Sequence, residues 1–306
     1  MSNVVIMVWK QHMNAGFGDL LRGTIYLHKL SRQLNFELIV DTQLHPVSKL
    51  LVSPPHRFTD YVVEHQSEIN DAINKTDEHV KQLIEMNQRA TNANPLLITT
   101  NFIDDYIHAP SNECKLFMRA HLIPTHEFNG YFNERCKAFR ISKNYSIAHF
   151  RLGDQELNDN ESNVHQYRQL CAMINVQLTT VPNLYIMSDS LQFKTHLRER
   201  IRPELVHRVI PTHPIHLADP NADIDSMRET MFDFMLLTNA CIIKTLSRYY
   251  WVSGFVNWVS HIFNVPLVDL KSTMTMKTCA VPRASARSVE VRSMPLFRTN
   301  HRLRMR

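Results

Sequence analysis

Val4-Val5-Ile6-Met7-Val8-Trp9 is followed, after six intervening residues, by Gly16-Phe17-Gly18-Asp19-Leu20-Leu21-Arg22-Gly23. An apolar run of strand length leads into a glycine turn and then into an amphipathic stretch from about Leu20 to Leu34. That order reads as strand, turn and helix, with the free N–H groups of the helix start directed at whatever binds beyond the strand. The chain holds only six glycines, where about twenty would be ordinary for its length, and three of the six lie in this turn. Glycine is needed where the backbone takes a positive φ or approaches a ligand closely. Gly16 and Gly18 are therefore candidate ligand-facing positions, and Asp19 reads as the helix N-cap.

Working outward, strands are expected at 37–41 and 96–100, and helices at 68–90 and 111–121. In the 68–90 stretch Ile69, Ile73, Val80, Leu83 and Ile84 keep helical spacing. A second alternation begins near residue 145. Strands are expected at 147–150, 184–187, 206–210, 240–243 and 266–269, with helices at 161–178, 191–200, 226–238 and 249–262. Strands alternating with helices imply parallel sheets joined by right-handed crossovers. Two such sets predict an α/β chain with two Rossmann-like, doubly wound lobes facing across a cleft. The expected division is an N-terminal lobe over 1–140, a second lobe over 141–270 and a basic tail over 271–306. Ligands of such sheets bind outside the carboxyl ends of the strands.

Composition bounds the function. At 306 residues, 44% hydrophobic and 21% charged, the chain reads as soluble and globular. No run of 18 uncharged apolar residues is present, so no transmembrane helix is expected. The N-terminus lacks the pattern of a signal peptide. The five cysteines are scattered without a C-x-x-C pair, as expected for reduced thiols in a cytosol-like compartment. Nine Lys/Arg against one Glu give the tail +8 of a total of +5, leaving about −3 on residues 1–270. Such a tail either is solvated or binds a polyanion.

Several residues at predicted strand ends could carry chemistry. Arg151 could grip a diphosphate bidentately or pair with a carboxylate such as Asp154. His149 shares its face and could donate to phosphate or pack as a structural histidine. Ser188 and Asp189 suit ribose or base recognition, or alternatively cap the next helix. Thr245, Ser247 and Arg248 precede a helix and could form a second phosphate cradle. Asp19 could cap its helix or act as a base, with Arg22 one turn on. Asp223-Ile224-Asp225 is a D-x-D, but it immediately precedes a helix, where acidic residues favour the dipole. His207, His213 and His216 lack tight metal spacing, and no metal is expected.

Taken in order, these motifs resemble the GT-B fucosyltransferase superfamily, which includes the α1,2-, α1,6- and protein O-fucosyltransferases. Members open with strand, G-x-G-(N/D) turn and helix, matched by Gly16-Phe17-Gly18-Asp19. An H-x-R-R-(G/T)-D motif is matched by His149-Phe150-Arg151-Leu152-Gly153-Asp154, without the second Arg. A strand ending in (S/T)-D is matched by Ser188-Asp189. The D-x-x-x-L and T-x-S-S segments are matched by Asp233 to Leu237 and by Thr245-Leu246-Ser247, with Arg248 in place of the last Ser.

The resemblance covers roughly residues 1–30 and 145–270. It implies an inverting glycosyltransferase using GDP-fucose or another nucleotide sugar, with Arg151 on the pyrophosphate and no divalent metal. It also implies Asp233 in the donor site, a glycan or other hydroxyl acceptor, and Asp19 or Asp154 as base. Arg248 is expected to replace the missing positive charge. Nucleic acid is not expected as a partner, and the oligomeric state is left open. The rival of another class is a non-enzymatic protein binding polyanions through its tail.

Overall fold

The computed structural model of the chain describes residues 3–10, 16–52, 54, 58–86, 94–102, 109–152, 161–213, 223–247 and 252–271, with the backbone alone over 161–169. Gly153, Asp154, His216, Arg248 and all of the basic tail after Lys271 lie outside the described residues. Met1–Leu270 form one compact unit, and everything up to Leu270 belongs to it.

Among the described residues, the strands form two four-stranded sheets, parallel throughout. The first is built from β1 (Asn3–Val8), β2 (Phe36–Asp41), β3 (Asn70–Ala72) and β4 (Leu96–Thr100), in the order β2-β1-β4-β3. The second is built from β5 (Ser146–Arg151), β6 (Leu184–Ser188), β7 (Ile242–Ser247) and β8 (Leu267–Asp269), in the order β6-β5-β7-β8. In both sheets the first strand lies centrally, and the chain winds to one side and then to the other. The ligand crevice of such a sheet falls where the winding reverses. In the second sheet that point lies between the carboxyl ends of β5 and β7.

Helices cover the sheets: α1 (Phe17–Leu34), α2 (Thr59–Glu64) and α3 (Asp77–Met86) around the first, and α6 (Glu161–Thr180), α7 (Leu191–Arg200), α8 (Ile224–Thr238) and α9 (Gly254–Phe263) around the second. Between them in sequence come α4 (Asn112–Ala120), packed on α1 and α9, and α5 (His126–Ala138), packed on α8.

Strand parity sorts the side chains. Val5, Met7 and Trp9 enter the large core that also holds Phe17, Phe234, Val256 and Trp258, so one apolar core is shared by both lobes. Val4, Ile6 and Val8 face a small cluster with Phe58 and Val62 on the other side of the first sheet. In the second sheet Ile147, Tyr185, Met187 and Ile243 face the shared core. Ala148, Phe150, Leu184 and Ile186 face α6 and α7. Side chains in a strand alternate between faces. His149, Arg151, Thr245 and Ser247 therefore lie on the face toward the first lobe.

Three expectations need correction. The stretch 68–90 is not one helix. Asn70-Asp71-Ala72 pairs as an edge strand with β4, the Asp71 carboxylate accepts from the Ile73 N–H at 2.9 Å, and Asn74 turns left-handed at φ 57° before α3 begins. Sheet pairing and an Asx turn override the helical period. The stretch 206–210 is no full strand, because Pro203 opens a 3-10 turn through Arg208 and only Val209 bridges to Ile186. Strand β7 runs on to Ser247 in alternating burial, so Thr245 and Ser247 lie within the strand rather than after it.

Candidate active site at the carboxyl ends of the second sheet

At the reversal of the second sheet, the parallel register sets His149 beside Thr245 and Arg151 beside Ser247. Arg151 is held from the neighbouring strand end. Its Nη1 pairs with Asp189 Oδ2 at 2.5 Å, and Asp189 Oδ1 accepts from the Leu152 N–H at 2.9 Å. Asp189 thus fixes both the guanidinium and the backbone just past β5. Ser188 has the opposite parity and its hydroxyl donates to the Phe150 carbonyl at 2.9 Å. Ser190, rather than Ser188 or Asp189, caps α7 by accepting from the Phe193 N–H.

Below Arg151 the cluster is buried. His149 is 6% exposed and Thr245 is 0% exposed, and among the described residues neither His149 Nδ1 nor Thr245 Oγ1 has a hydrogen-bond partner. Buried polar atoms are nearly always satisfied, so two neighbouring orphans at a ligand crevice point to a ligand or water. Burial drives the His149 ring down to about 4 against the pull of Asp189, with Arg151 and Lys194 pushing the same way as burial. The imidazole is neutral at ordinary pH.

Asp233 projects from α8 at 3% exposure, and its Oδ1 accepts from the Thr212 hydroxyl at 2.8 Å. Burial raises its carboxyl to about 7, opposed by Lys194, the Thr212 bond and Arg135 and reinforced by Glu229. Lys194 is 2% exposed, and its Nζ donates to the Thr212 carbonyl. Lys194 and Thr212 have no counterpart in the sequence reading. The lysine left one trace, lying with Phe193, Leu197 and Ile201 on the buried face of α7.

Further candidates lie at the start of α1. Its N-cap is Gly16, not Asp19. Asp19 sits at the third helical position, where Oδ2 accepts from the Gly16 N–H at 2.9 Å and Oδ1 pairs with Arg22 Nη2 at 2.9 Å. Helix formation begins earlier than the first periodic apolar residue suggests, because this return bond from a third-position acid satisfies the cap backbone. Arg22 also donates through Nε to the Asn101 carbonyl, fastening α1 to the end of β4.

Gly18 and Gly23 are helical residues. A Cβ on Gly18 would stand 2.9 Å from the Phe255 nitrogen and 3.0 Å from the Gly254 carbon, and one on Gly23 would strike the Thr100 carbonyl. Both glycines serve close backbone packing. The first of them brings the N-termini of α1 and α9 together, so two positive dipole ends converge there.

The D-x-D carboxylates have local partners. Asp223 caps α8 by accepting from the Ser226 N–H at 2.8 Å, and Asp225 pairs with Arg228 at 3.1 Å. Among the described residues no group of three or more His, Cys, Asp or Glu is placed to hold a metal, and no helix is long and apolar enough to cross a membrane.

This architecture is similar to that of solved fucosyltransferase structures. A point variant of FUT1 from Arabidopsis thaliana in complex with GDP matches over 88% of this chain and 70% of its own, with a TM-score of 0.54 and 14% identity. Fucosyltransferase NodZ from Bradyrhizobium matches over 89% of this chain and 96% of its own, with a TM-score of 0.51 and 12% identity. No family model matches the sequence, and no curated protein does. The chain has the two-sheet GT-B fold of these fucosyltransferases.

Proposed function

We propose that the protein is an inverting glycosyltransferase that moves a sugar from a nucleotide diphosphate donor, GDP-fucose, to a hydroxyl acceptor in a single displacement. The observation carrying this reading is the Arg151–Asp189 pair beside His149 Nδ1 and Thr245 Oγ1, two buried polar atoms with no hydrogen-bond partner among the described residues, on the sheet face toward the shared core. The GDP present in the Arabidopsis FUT1 structure supports the choice of base.

In this reading residues 141–270 bind the donor and residues 1–140 the acceptor. Arg151 grips the diphosphate bidentately, its charge permanent and its plane held by Asp189. Ser247, beside it in the register, adds a donor, and Arg248 supplies the second positive charge that the resemblance implies. His149 and Thr245 fill their open valences on the donor, and Asp233 accepts from the N–H edge of guanine. The negative charge that develops on the departing GDP meets Arg151 and the joined helix starts, a preorganised electrostatic term that needs no metal.

The acceptor proton goes to Asp19, one residue from the α1–α9 contact, or to Asp154. Replacing each by Asn separates them. The base variant keeps GDP affinity and loses transfer. Asp19→Asn keeps an oxygen to accept from the Gly16 N–H and loses the charge opposite Arg22 and the start of α1, at about 0.3–1 kcal/mol of stability.

A donor panel tests the whole reading. GDP-fucose, GDP-mannose, UDP-sugars and dTDP-rhamnose are compared by thermal shift and by hydrolysis. GDP-fucose is expected to stabilise most. Arg151→Ala is expected to weaken GDP binding roughly tenfold to a hundredfold, as for a lost charge-assisted bond, with the melting temperature kept. Stabilisation by a UDP-sugar alone would replace the donor, and no response to any nucleotide would end the proposal.

A further inference from the structure

Lys194 stands one helical turn into α7, and its ammonium is almost fully withdrawn from water. A buried ammonium persists only where anions and acceptors surround it. Its hydrogen bond goes to the Thr212 carbonyl, and the hydroxyl of the same threonine donates to Asp233 Oδ1. Thr212 therefore straps the ammonium and the carboxylate together. The anions acting on Lys194 are Asp233 first, then Asp189 and Glu229, with Arg198 as the opposing cation. Around Asp233 the charges are Lys194, Glu229 and Arg135. Arg135 is already engaged by Glu229 and lies 4.4 Å over the Phe139 ring. His149, neutral, adds no charge. Among the described residues, Lys194 and Arg135 are the cations acting on Asp233, and Lys194 is the one joined to it through Thr212.

We propose that Lys194 is a positioning residue that holds the Asp233 carboxylate charged for the base of the donor and so sets the lower pH limit of donor binding. It rests on the reading of this site as a GDP-sugar site. Lys194 itself touches no substrate. Asp233 must be ionised to accept two N–H bonds from guanine, and burial without a cation would leave it protonated across the neutral range. Losing the ammonium should therefore shift where binding fails as pH falls, which a purely structural lysine would not do.

The test is GDP titration by calorimetry, between about pH 6 and pH 9, on wild type, Lys194→Met, Asp233→Asn and the double variant. In wild type, affinity should fall as pH drops through the Asp233 midpoint. In Lys194→Met that midpoint should move up by about one unit, which makes binding roughly threefold weaker at pH 7.5 and approaches tenfold weaker below about pH 6.5. In the Asp233→Asn background the same lysine change should cost nothing further, because the two act as one unit.

The double variant removes both charges together and keeps the test alive should Lys194→Met alone fail to fold. An unmoved midpoint, or an equal loss in both backgrounds, overturns the role of Lys194 while leaving the donor site standing. Wild-type protein that binds no GDP at any pH overturns the donor reading and the Lys194 proposal with it. Carbon-13 titration of the Asp233 carboxyl gives a ligand-free check: the same midpoint with and without Lys194 overturns the proposal.

Discussion

His149 is buried to 6% exposure beside two cations, with its ring driven from 6.5 to about 4. A histidine whose folded value is depressed stabilises the fold fully above its unfolded value. That contribution is lost as pH falls from 6.5 toward 4. The gap corresponds to about 3 kcal/mol as an upper figure. His28 and His261 are shifted the same way by burial, so the wild-type slope is not due to His149 alone. The difference between wild type and His149→Gln isolates it. Calorimetric melting between pH 6.5 and 4 should show a shallower decline for the variant, and parallel curves would refute buried neutrality. At this scale the strand-end positions of Arg151 and Asp189 were legible, while their pairing with each other was not, because the sequence offered Asp154 as the nearer carboxylate. Lys194 was not, because a lysine on a helix ordinarily reads as solvated, and only its place on the Phe193–Leu197–Ile201 face marks it. Thr212 left no mark, since a threonine outside regular structure carries no period.

The glycines of α1 set how closely the elements pack. Scarcity pointed to this stretch, and the stretch does matter, but for packing rather than for a turn. Left-handed positions that glycine usually fills are taken here by Asn35, Asn74, Asn144, Asn183 and Asn264, together with Arg140. Asn35 and Asn264 end α1 and α9 in this way. Gly18 is left to permit helix-on-helix contact. Gly18→Ala must displace the backbone of α9, at about 1–3 kcal/mol. Gly23→Ala strikes the Thr100 carbonyl, with a strand end on one side and its own helix on the other, and should cost more. Gly130 within α5 has nothing within 4 Å of a built Cβ. Gly130→Ala should therefore stabilise by roughly 0.5–1 kcal/mol through helix propensity alone. Urea melts of the three variants check the order, and an equal effect at all three positions would remove the packing account. Strands and helices with strong periods were legible from sequence. The 68–90 and 206–210 stretches were not, because Asn70–Ala72 gains its state from β4 and Pro203 imposes its own turn. Neither influence appears in a local apolar pattern.

Across the whole molecule, the two sheets are separate but their apolar interiors are not. Phe17 of α1 meets Trp9 edge-on at 5.6 Å and Phe234 of α8 at 5.0 Å, and Phe234 continues to Phe255 and Phe263 of α9. Arg119 of α4 donates to the Ile262 carbonyl at 2.7 Å and lies 5.7 Å over the Phe263 ring, adding a polar strap beside the aromatic run. This joint holds α1 against α9. Lobes that share a core should not melt separately, because opening the joint exposes the same large side chains that stabilise each half. Denaturant unfolding followed by far-ultraviolet circular dichroism and by tryptophan fluorescence should therefore give one coincident transition. Phe17→Ala removes the ring that touches both lobes and should cost about 3–5 kcal/mol. Phe17 packs on Trp9, Phe234 and Phe255, so on the proposed reading of the site the folded variant should keep its affinity for GDP. Two resolved transitions in wild type would show the lobes to be independent. The convergence of α1 and α9 would then owe nothing to the shared aromatic core.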